Sequence, residues 1–186
     1  MKYLTIKFFC ILSLSLLAFN SANAQKYMTK TGHAYFMSHT DAIDIDGNNY
    51  QVAAIADTET GELVVIVLIK AFEFTLATAD KHFNETYMES DEFPKAIFKG
   101  SVPELKAIDL SKNGTYDASA KGNLTIHGES NPVEKTGTLE IKDGNILINC
   151  DFNVLIDDYK IKVPKSVEDR VAKEVDVKID LSLSPR

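Results

Sequence analysis

Three side chains near the middle of the chain have the types and spacing that acid–base or metal chemistry needs. His82, Glu85 and Glu89 follow one another at intervals of three and four residues, so they share one face if this stretch is helical. An imidazole beside two carboxylates can bind a divalent metal ion or transfer a proton. The alternative is a solvated helical turn, which the sequence favours because no cysteine or histidine cluster accompanies the three residues.

No other group of residues indicates catalysis. The chain contains no G-x-S-x-G elbow, P-loop or dinucleotide-binding glycine motif, and no pair of its histidines has the spacing of a zinc motif. His127 precedes Gly128 and is interpreted as a turn residue, although His82 and His127 are both able to hydrogen-bond the polar head of a ligand. Cys150 follows an apolar run, which favours a buried, inert thiol over a nucleophile. We therefore predict no catalytic residues, metal or cofactor.

Aromatic residues are concentrated around the segment 82–100, and the chain has no tryptophan. This grouping has two interpretations: a packed core under a helical insertion, or an apolar tunnel for an alkyl or isoprenoid chain. A tunnel requires little more than an apolar lining and one polar group at its mouth, since each buried methylene contributes about 0.8 kcal/mol. The residues concerned are Phe72, Phe74, Phe83, Tyr87, Phe93 and Phe98.

The elements around this segment read as antiparallel strands. Residues 75–87 favour helical turns, and Pro94 returns the chain to extended structure. Period-two alternation elsewhere predicts roughly eight to ten strands, with turns at 46–49, Asn113-Gly114 and Asp143-Gly144. No βαβ pattern occurs, so the fold class is all-β, either a sandwich or a closed barrel. A barrel of about eight strands is wide enough to hold a ligand.

The first 24 residues have the pattern of a secretory signal peptide. Lys2 and Lys7 precede the apolar run 8–19, and Ala22-Asn23-Ala24 offers small residues at a cleavage site before Gln25. The apolar run is too short for a spanning helix, so no stable membrane anchor is expected. We therefore predict a signal peptide over 1–24, a single domain over 25–186, and a periplasmic or secreted location.

The charge of the chain restricts its partners. Its formal net charge is −7 at pH 7, and removal of the two leader lysines makes it more negative still. Nucleic acids and anionic membrane surfaces are polyanions, so neither is an expected partner. A homodimer is compatible with the sequence.

Three blocks of this sequence resemble the YceI-like family, the lipid- or polyisoprenoid-binding proteins of the bacterial periplasm and exterior. The first block runs from His82 through the Phe93-Pro94-Lys95-Ala96 motif to Gly100. The second is Gly122–Gly128, and the third comprises Phe152, Tyr159-Lys160-Ile161, Pro164 and the alternating last strand. In order and spacing they cover nearly the whole chain after the leader.

The resemblance implies an extended, lipocalin-like antiparallel β-barrel with a short helical insertion. Its apolar interior would hold a long amphiphile such as an isoprenoid quinone, an isoprenyl phosphate or a fatty-acid derivative, without enzymatic activity. Many members carry an Arg-Asp pair just before the histidine, whereas Ala79-Asp80-Lys81 precedes His82 here. If the arginine of those members holds an anionic head group, Lys81 is the candidate to replace it as a point charge.

On this reading the domain binds, sequesters or transports a long apolar amphiphile. His82, Tyr87 and His127 are candidates for a polar contact at the mouth of the barrel. Two alternatives remain: a stress-related structural or interaction module with a fully packed barrel, and a small metal-dependent hydrolase that uses His82 with Glu85 or Glu89. The candidates for the apolar lining are Phe72, Phe74, Phe83, Phe93, Phe98, Leu124, Ile126, Phe152 and Val154.

Overall fold

The computed structural model describes residues 26–186, so the predicted signal peptide lies outside the described residues. The described chain forms nine strands, which are β1 (Lys26–His39), β2 (Asp44–Asp57), β3 (Glu62–Leu68), β4 (Glu73–Phe74), β5 (Lys95–Ser101), β6 (Gly114–Ile126), β7 (Glu129–Lys142), β8 (Asn145–Leu155) and β9 (Glu174–Pro185). Four 3-10 turns, Ile69–Ala71, Pro103–Lys106, Ile156–Tyr159 and Lys165–Arg170, lie between strands.

Eight of these strands close into an antiparallel barrel. Around it the order is β1-β9-β8-β7-β6-β5-β3-β2, and pairing of β2 with β1 completes the ring. The short β4 pairs with β2 at Gly47 and Asn48 as an additional strand. Closure leaves no open edge in the ring, which is how an antiparallel sheet of this size avoids edge-to-edge association. The predicted antiparallel barrel with a short helical insertion is confirmed.

Two-residue turns join the long strands β6, β7 and β8. Asp143 and Gly144 both have positive φ angles, of 51° and 78°, as a type I′ hairpin turn requires. The predicted hairpin at this dipeptide is therefore confirmed. His127 and Gly128 form a second turn of this kind, with φ angles of 50° and 77°. These two turns fix the register of the β6–β7–β8 meander.

Two predicted turns are wrong. Asn113-Gly114 is not a hairpin, because β5 and β6 are joined by a longer connection that contains the 3-10 turn Pro103–Lys106. The Asn113 side chain instead accepts a hydrogen bond of 2.9 Å from the backbone N–H of Asp143. Residues 46–49 lie inside β2 rather than in a turn. In both places tertiary pairing overrides a local turn preference.

The predicted helical insertion is present between β4 and β5. Helix α1 (Ala77–His82) continues directly into a single π-helical turn, Phe83–Tyr87. The 3-10 turn Ile69–Ala71 separates β3 from β4, so the apolar run 63–74 does not form one continuous strand. We refer to residues 76–88 as the cap. No helix among residues 26–186 has the length and apolar character needed to cross a membrane.

The interior of the barrel divides into two apolar clusters. One half is filled by fully buried side chains such as Val52, Leu139 and Ile146, and Leu105 of a 3-10 turn packs into the same cluster. The second cluster is smaller and includes Ile69, Met88 and Val154, with the cap packed against it. The two alternatives posed by the sequence, a packed core or an apolar tunnel, therefore apply to different halves of one barrel.

Candidate ligand-binding site

A large cavity occupies the capped half of the barrel. Its volume is about 620 Å³, and its wall is formed by strands of the barrel, the cap and residues 161–171. Cavities of roughly 300–1,000 Å³ with apolar walls are typical of sites for small organic ligands. Here the wall is almost entirely aliphatic and aromatic, so it offers a long apolar chain favourable burial.

Four phenylalanine rings form a continuous cluster on one side of this wall. Phe36 of β1 stacks on Phe83 of the cap, with ring centroids 5.2 Å apart and an interplanar angle of 12°. Phe72 and Phe74 make edge contacts with Phe36 at centroid distances of 5.3 and 5.8 Å. Such pairs contribute beyond their buried area. The cluster therefore holds the cap against the barrel while presenting ring surface to the cavity.

Gly47 of β2 makes this cluster possible. It pairs with Phe36 on one side and Phe74 on the other. A Cβ atom at this position would lie 2.5 Å from Cε1 of Phe36, which is too close for any real contact. The glycine that suggested a turn in the sequence is thus needed because a ring lies directly over the backbone of β2.

The opposite side of the wall is mainly aliphatic and comes from β6 and β8. Leu124 and Ile126 extend from β6, whereas Phe152 and Val154 extend from β8. These residues alternate along their strands, so one face of each strand contributes to the cavity. Nine of the predicted site residues lie on the wall: Phe72, Phe74, His82, Phe83, Tyr87, Leu124, Ile126, Phe152 and Val154.

Three predicted site residues, Phe93, Phe98 and His127, do not lie on the wall. Phe98 of β5 packs against the cluster in the filled half of the barrel. Phe93 lies beside the turn between β6 and β7, with its ring centroid 4.6 Å from that of His127. Period-two alternation assigns Phe98 to a face of its strand but does not tell which half of the barrel it reaches, and Phe93 lies in the loop before β5.

His127 joins the end of the cap to the barrel instead of contacting the cavity. Its Nε2 lies 2.8 Å from a carboxylate oxygen of Glu89, and its Nδ1 lies 3.2 Å from the backbone oxygen of Tyr159. The imidazole is only 11% exposed. Both ring nitrogens have a protein partner, so His127 has a structural role in positioning the residues that follow the cap.

The opening of the cavity lies between the cap and the turn Lys165–Arg170. Every exposed residue of the wall lies in the cap or in residues 164–170. Most of these exposed residues are polar or charged, whereas the buried part of the wall is apolar. The exposed wall residues are Leu76, Thr78, His82 and Thr86 of the cap, and Pro164, Ser166 and Arg170 opposite.

Tyr35 and Tyr87 are the two tyrosines among the described residues of the wall. Burial raises the pKa of Tyr87 above its ordinary value. Burial also raises the pKa of Tyr35, and the carboxylates of Asp46, Asp44 and Asp176 act in the same direction. Both phenols are therefore neutral at physiological pH. They can form hydrogen bonds with a ligand, but they add no charge to the site.

The grouping needed for a metal or acid–base site is not formed. Glu89 contacts His127, and Glu85 lies 3.8 Å from Nζ of Lys81, while His82 alone of the three predicted residues lies on the cavity wall. Among residues 26–186 no group of three or more histidine, cysteine, aspartate or glutamate side chains is arranged to hold a metal ion. The solvated-turn interpretation thus describes Glu85 better than a catalytic one.

Lys81 is likewise not placed to bind a ligand. Its ammonium group is directed to Glu85, four residues along the helical segment, and its side chain is 73% exposed. It does not lie on the wall of the cavity. The positive charge of Lys81, which the family resemblance suggested as a partner for an anionic head group, therefore does not reach the site.

Several wall residues were missed in the sequence. Phe36 shares a face of β1 with Ala34, and both lie on the wall. Alternation in the last strand, through Val175, Val177 and Ile179, was recognised without being connected to the site. Ser166 is able to cap one helical turn over 167–171, but nothing in the sequence connects Arg170 of this turn with a site 88 residues earlier in the chain.

Comparison with known proteins agrees with this architecture. A family model for the YceI-like domain matches residues 20–183. The chain is similar in structure to a polyisoprenoid binding domain from Saccharophagus degradans, with 12% identity, a TM-score of 0.70, and coverage of 87% of this chain and 98% of that one. For BcnA of Burkholderia cenocepacia the values are 13%, 0.67, 82% and 96%. No curated protein matches the chain.

A third similar structure is the YCEI protein of Campylobacter jejuni, with 16% identity, a TM-score of 0.56, and coverage of 80% of this chain and 88% of that one. At these identities the structural likeness establishes the fold alone. The family model, in contrast, matches nearly all of the described chain, and it confirms the resemblance carried by the three sequence blocks. The chain therefore belongs to the YceI-like family.

Proposed function

We propose that this protein binds a long apolar amphiphile inside the capped half of its barrel and carries or sequesters it without chemical change. The observation that carries the proposal is the apolar cavity of about 620 Å³. Membership of the YceI-like family, and a similar fold in a polyisoprenoid binding domain, support a binding role. Isoprenoids, quinones and fatty-acid derivatives are the ligand classes that such a wall accommodates.

The energetics favour a chain-like ligand. Burial of about ten methylene groups would contribute about 8 kcal/mol before the cost of ordering the ligand. Because the other half of the barrel is filled by its own side chains, the cavity has a closed inner end. A ligand therefore enters tail first, and its head group remains near the cap and the turn Lys165–Arg170.

The two alternatives receive less support. A fully packed barrel predicts no continuous cavity, whereas the capped half contains one. A hydrolase that uses His82 with Glu85 or Glu89 requires those side chains to converge, and Glu89 is instead bound to His127. No separate observation favours either alternative as a second function.

Dye binding with a cavity-filling variant tests the proposal. Nile red is uncharged and fluoresces in apolar surroundings, and we expect geranylgeraniol to displace it from the delipidated protein. Ala96→Phe places a ring in the cavity and is expected to reduce dye and ligand affinity by about tenfold or more. Ile97→Phe, at the next position of β5 and off the wall, is the matched control. Equal affinities for Ala96→Phe and the wild type would contradict the assignment of the cavity.

We also propose that the protein acts outside the cytoplasm. The support is the signal-peptide pattern of residues 1–24 in the sequence. The intact mass of protein from the native host tests this directly. A chain beginning at Gln25 is expected, and a full-length chain in the cytoplasmic fraction would refute it.

A further inference from the structure

The wall of the cavity has a distinctive charge pattern. The whole chain contains 27 acidic and 20 basic lysine and arginine residues. Among the described residues that form the wall, none is aspartate, glutamate or lysine, and Arg170 is the one permanently charged side chain. An acidic protein thus excludes carboxylates from this wall and places a guanidinium group on it.

Arg170 reaches the wall because of the turn that ends with it. The 3-10 turn Lys165–Arg170 connects the region after β8 to β9, and Ser166, Val167, Arg170 and Val171 of this region all lie on the wall. The pairs Ser166-Val167 and Arg170-Val171 are separated by about one turn, so both ends of this short segment reach the wall. Since Arg170 is exposed as well as on the wall, it lies at the opening of the cavity.

The guanidinium group of Arg170 has no protein partner within residues 26–186. No ion pair or side-chain hydrogen bond involves it, whereas nearby Glu168 lies 3.8 Å from Nζ of Lys173. Lys81, the cation of the cap, is directed to Glu85. A guanidinium has five N–H donors and pairs with phosphate or carboxylate in bidentate geometry. Its donors are therefore available to a ligand in the opening.

We infer that the cavity selects amphiphiles with an anionic head group, a phosphate or a carboxylate, and that Arg170 binds this group at the opening. The hydroxyl group of Ser166 on the same turn adds a hydrogen-bond donor, and His82 and Thr86 supply polar groups from the cap. A neutral ligand such as a quinone would leave the guanidinium without a partner. The inference rests on the proposed function and specifies the ligand class for the same site.

Pairs of ligands with identical tails test the inference. Geranylgeranyl phosphate is compared with geranylgeraniol, and palmitate with hexadecanol, by displacement of Nile red from the delipidated protein. We expect each anion to bind about tenfold more tightly than its alcohol, with a preference that decreases as salt is raised. The larger of the two preferences identifies phosphate or carboxylate as the head group that the opening fits.

Three variants at two arginines assign the preference to its residue. Arg170→Gln is expected to abolish the preference for the anion while leaving the affinity for the alcohols unchanged. Arg186→Gln removes the same charge from the end of the chain, off the wall, and is expected to behave as the wild type. Arg170→Lys keeps the charge and is expected to retain only part of the preference.

The outcomes separate this inference from the proposed function. If alcohols and anions bind the wild type equally, or if Arg170→Gln weakens both alike, the head-group inference is refuted while the apolar binding function stands. If none of the four compounds displaces the dye, the proposed function is refuted and the inference with it.

Discussion

The division of the barrel interior predicts that two similar leucine truncations have very different costs. Leu139 of β7 is fully buried in the filled half, whereas Leu124 of neighbouring β6 faces the cavity. Leu139→Ala leaves a new void among well-packed side chains, which costs about 3–5 kcal/mol. Leu124 already lacks packing partners on its cavity side, so Leu124→Ala removes fewer contacts and costs about 1 kcal/mol.

Urea denaturation of delipidated protein measures both costs on one scale. The m-value is expected to stay unchanged, so the difference appears in the midpoint. In thermal unfolding, each 1 kcal/mol corresponds to about 2–4 °C for a domain of this size, so Leu139→Ala lowers Tm by about 10 °C and Leu124→Ala by a few degrees. Equal losses for the two variants would refute the reasoning, because they would mean that the capped half is packed as densely as the other.

Three further predictions concern the surroundings of the cavity. Gly47→Ala is expected to displace the Phe36 ring and cost about 1–3 kcal/mol, and an unchanged Tm would contradict the close approach of ring and backbone. His127→Ala is expected to destabilise the protein by about 1–3 kcal/mol, whereas Glu89→Gln costs less than about 1 kcal/mol because Glu89 is 52% exposed. Urea denaturation measures both costs. Equal costs would count against a role of His127 in anchoring the end of the cap. Burial raises the pKa of the Cys150 thiol, so less of it is the reactive thiolate in the folded protein. At pH 8, iodoacetamide is expected to alkylate Cys150 more slowly in the folded protein than in the urea-unfolded chain. Peptide mapping measures the two rates, and equal rates would contradict the prediction.

The antiparallel strands were predictable because apolar and polar residues alternate along them and do not alternate in the helical segment, whereas the choice of a barrel over a sandwich came from the family resemblance. Alternation along residues 118–126 and in the last strand indicates which face of each strand is directed inward, without any knowledge of pairing. The Asp143-Gly144 turn was predictable because both positions require positive φ. Local chemistry determines these features, so local sequence indicates them.

The shape of the site was only partly predictable, because it depends on contacts between distant strands. Asn113-Gly114 and residues 46–49 both have the composition of turns. In the structure, however, the Asn113 side chain binds the backbone of the turn at Asp143, and Gly47 leaves room for the ring of Phe36. Phe98 and Leu124 face one another on paired strands, but only Leu124 reaches the cavity. No pattern in the sequence distinguishes a side chain that fills the barrel from one that lines its empty half.

Arg170 shows the same limit for the polar part of the site. In the sequence, Lys81 is the candidate cation because it is adjacent to His82 in the chain. The structure instead brings a guanidinium to the opening from a turn that lies 88 residues later, between β8 and β9. Such a pairing of segments across the opening depends on barrel closure and cannot be deduced from spacing.

Native mass spectrometry of protein purified from its host without detergent tests the central claim most directly. We expect a one-to-one complex with a long-chain amphiphile that dissociates on collisional activation. We also expect a much smaller bound fraction for Ala96→Phe than for Ile97→Phe. A wild-type protein that arrives empty, and stays empty after incubation with a total lipid extract of the host, would contradict the claim that the capped half of the barrel holds such a ligand.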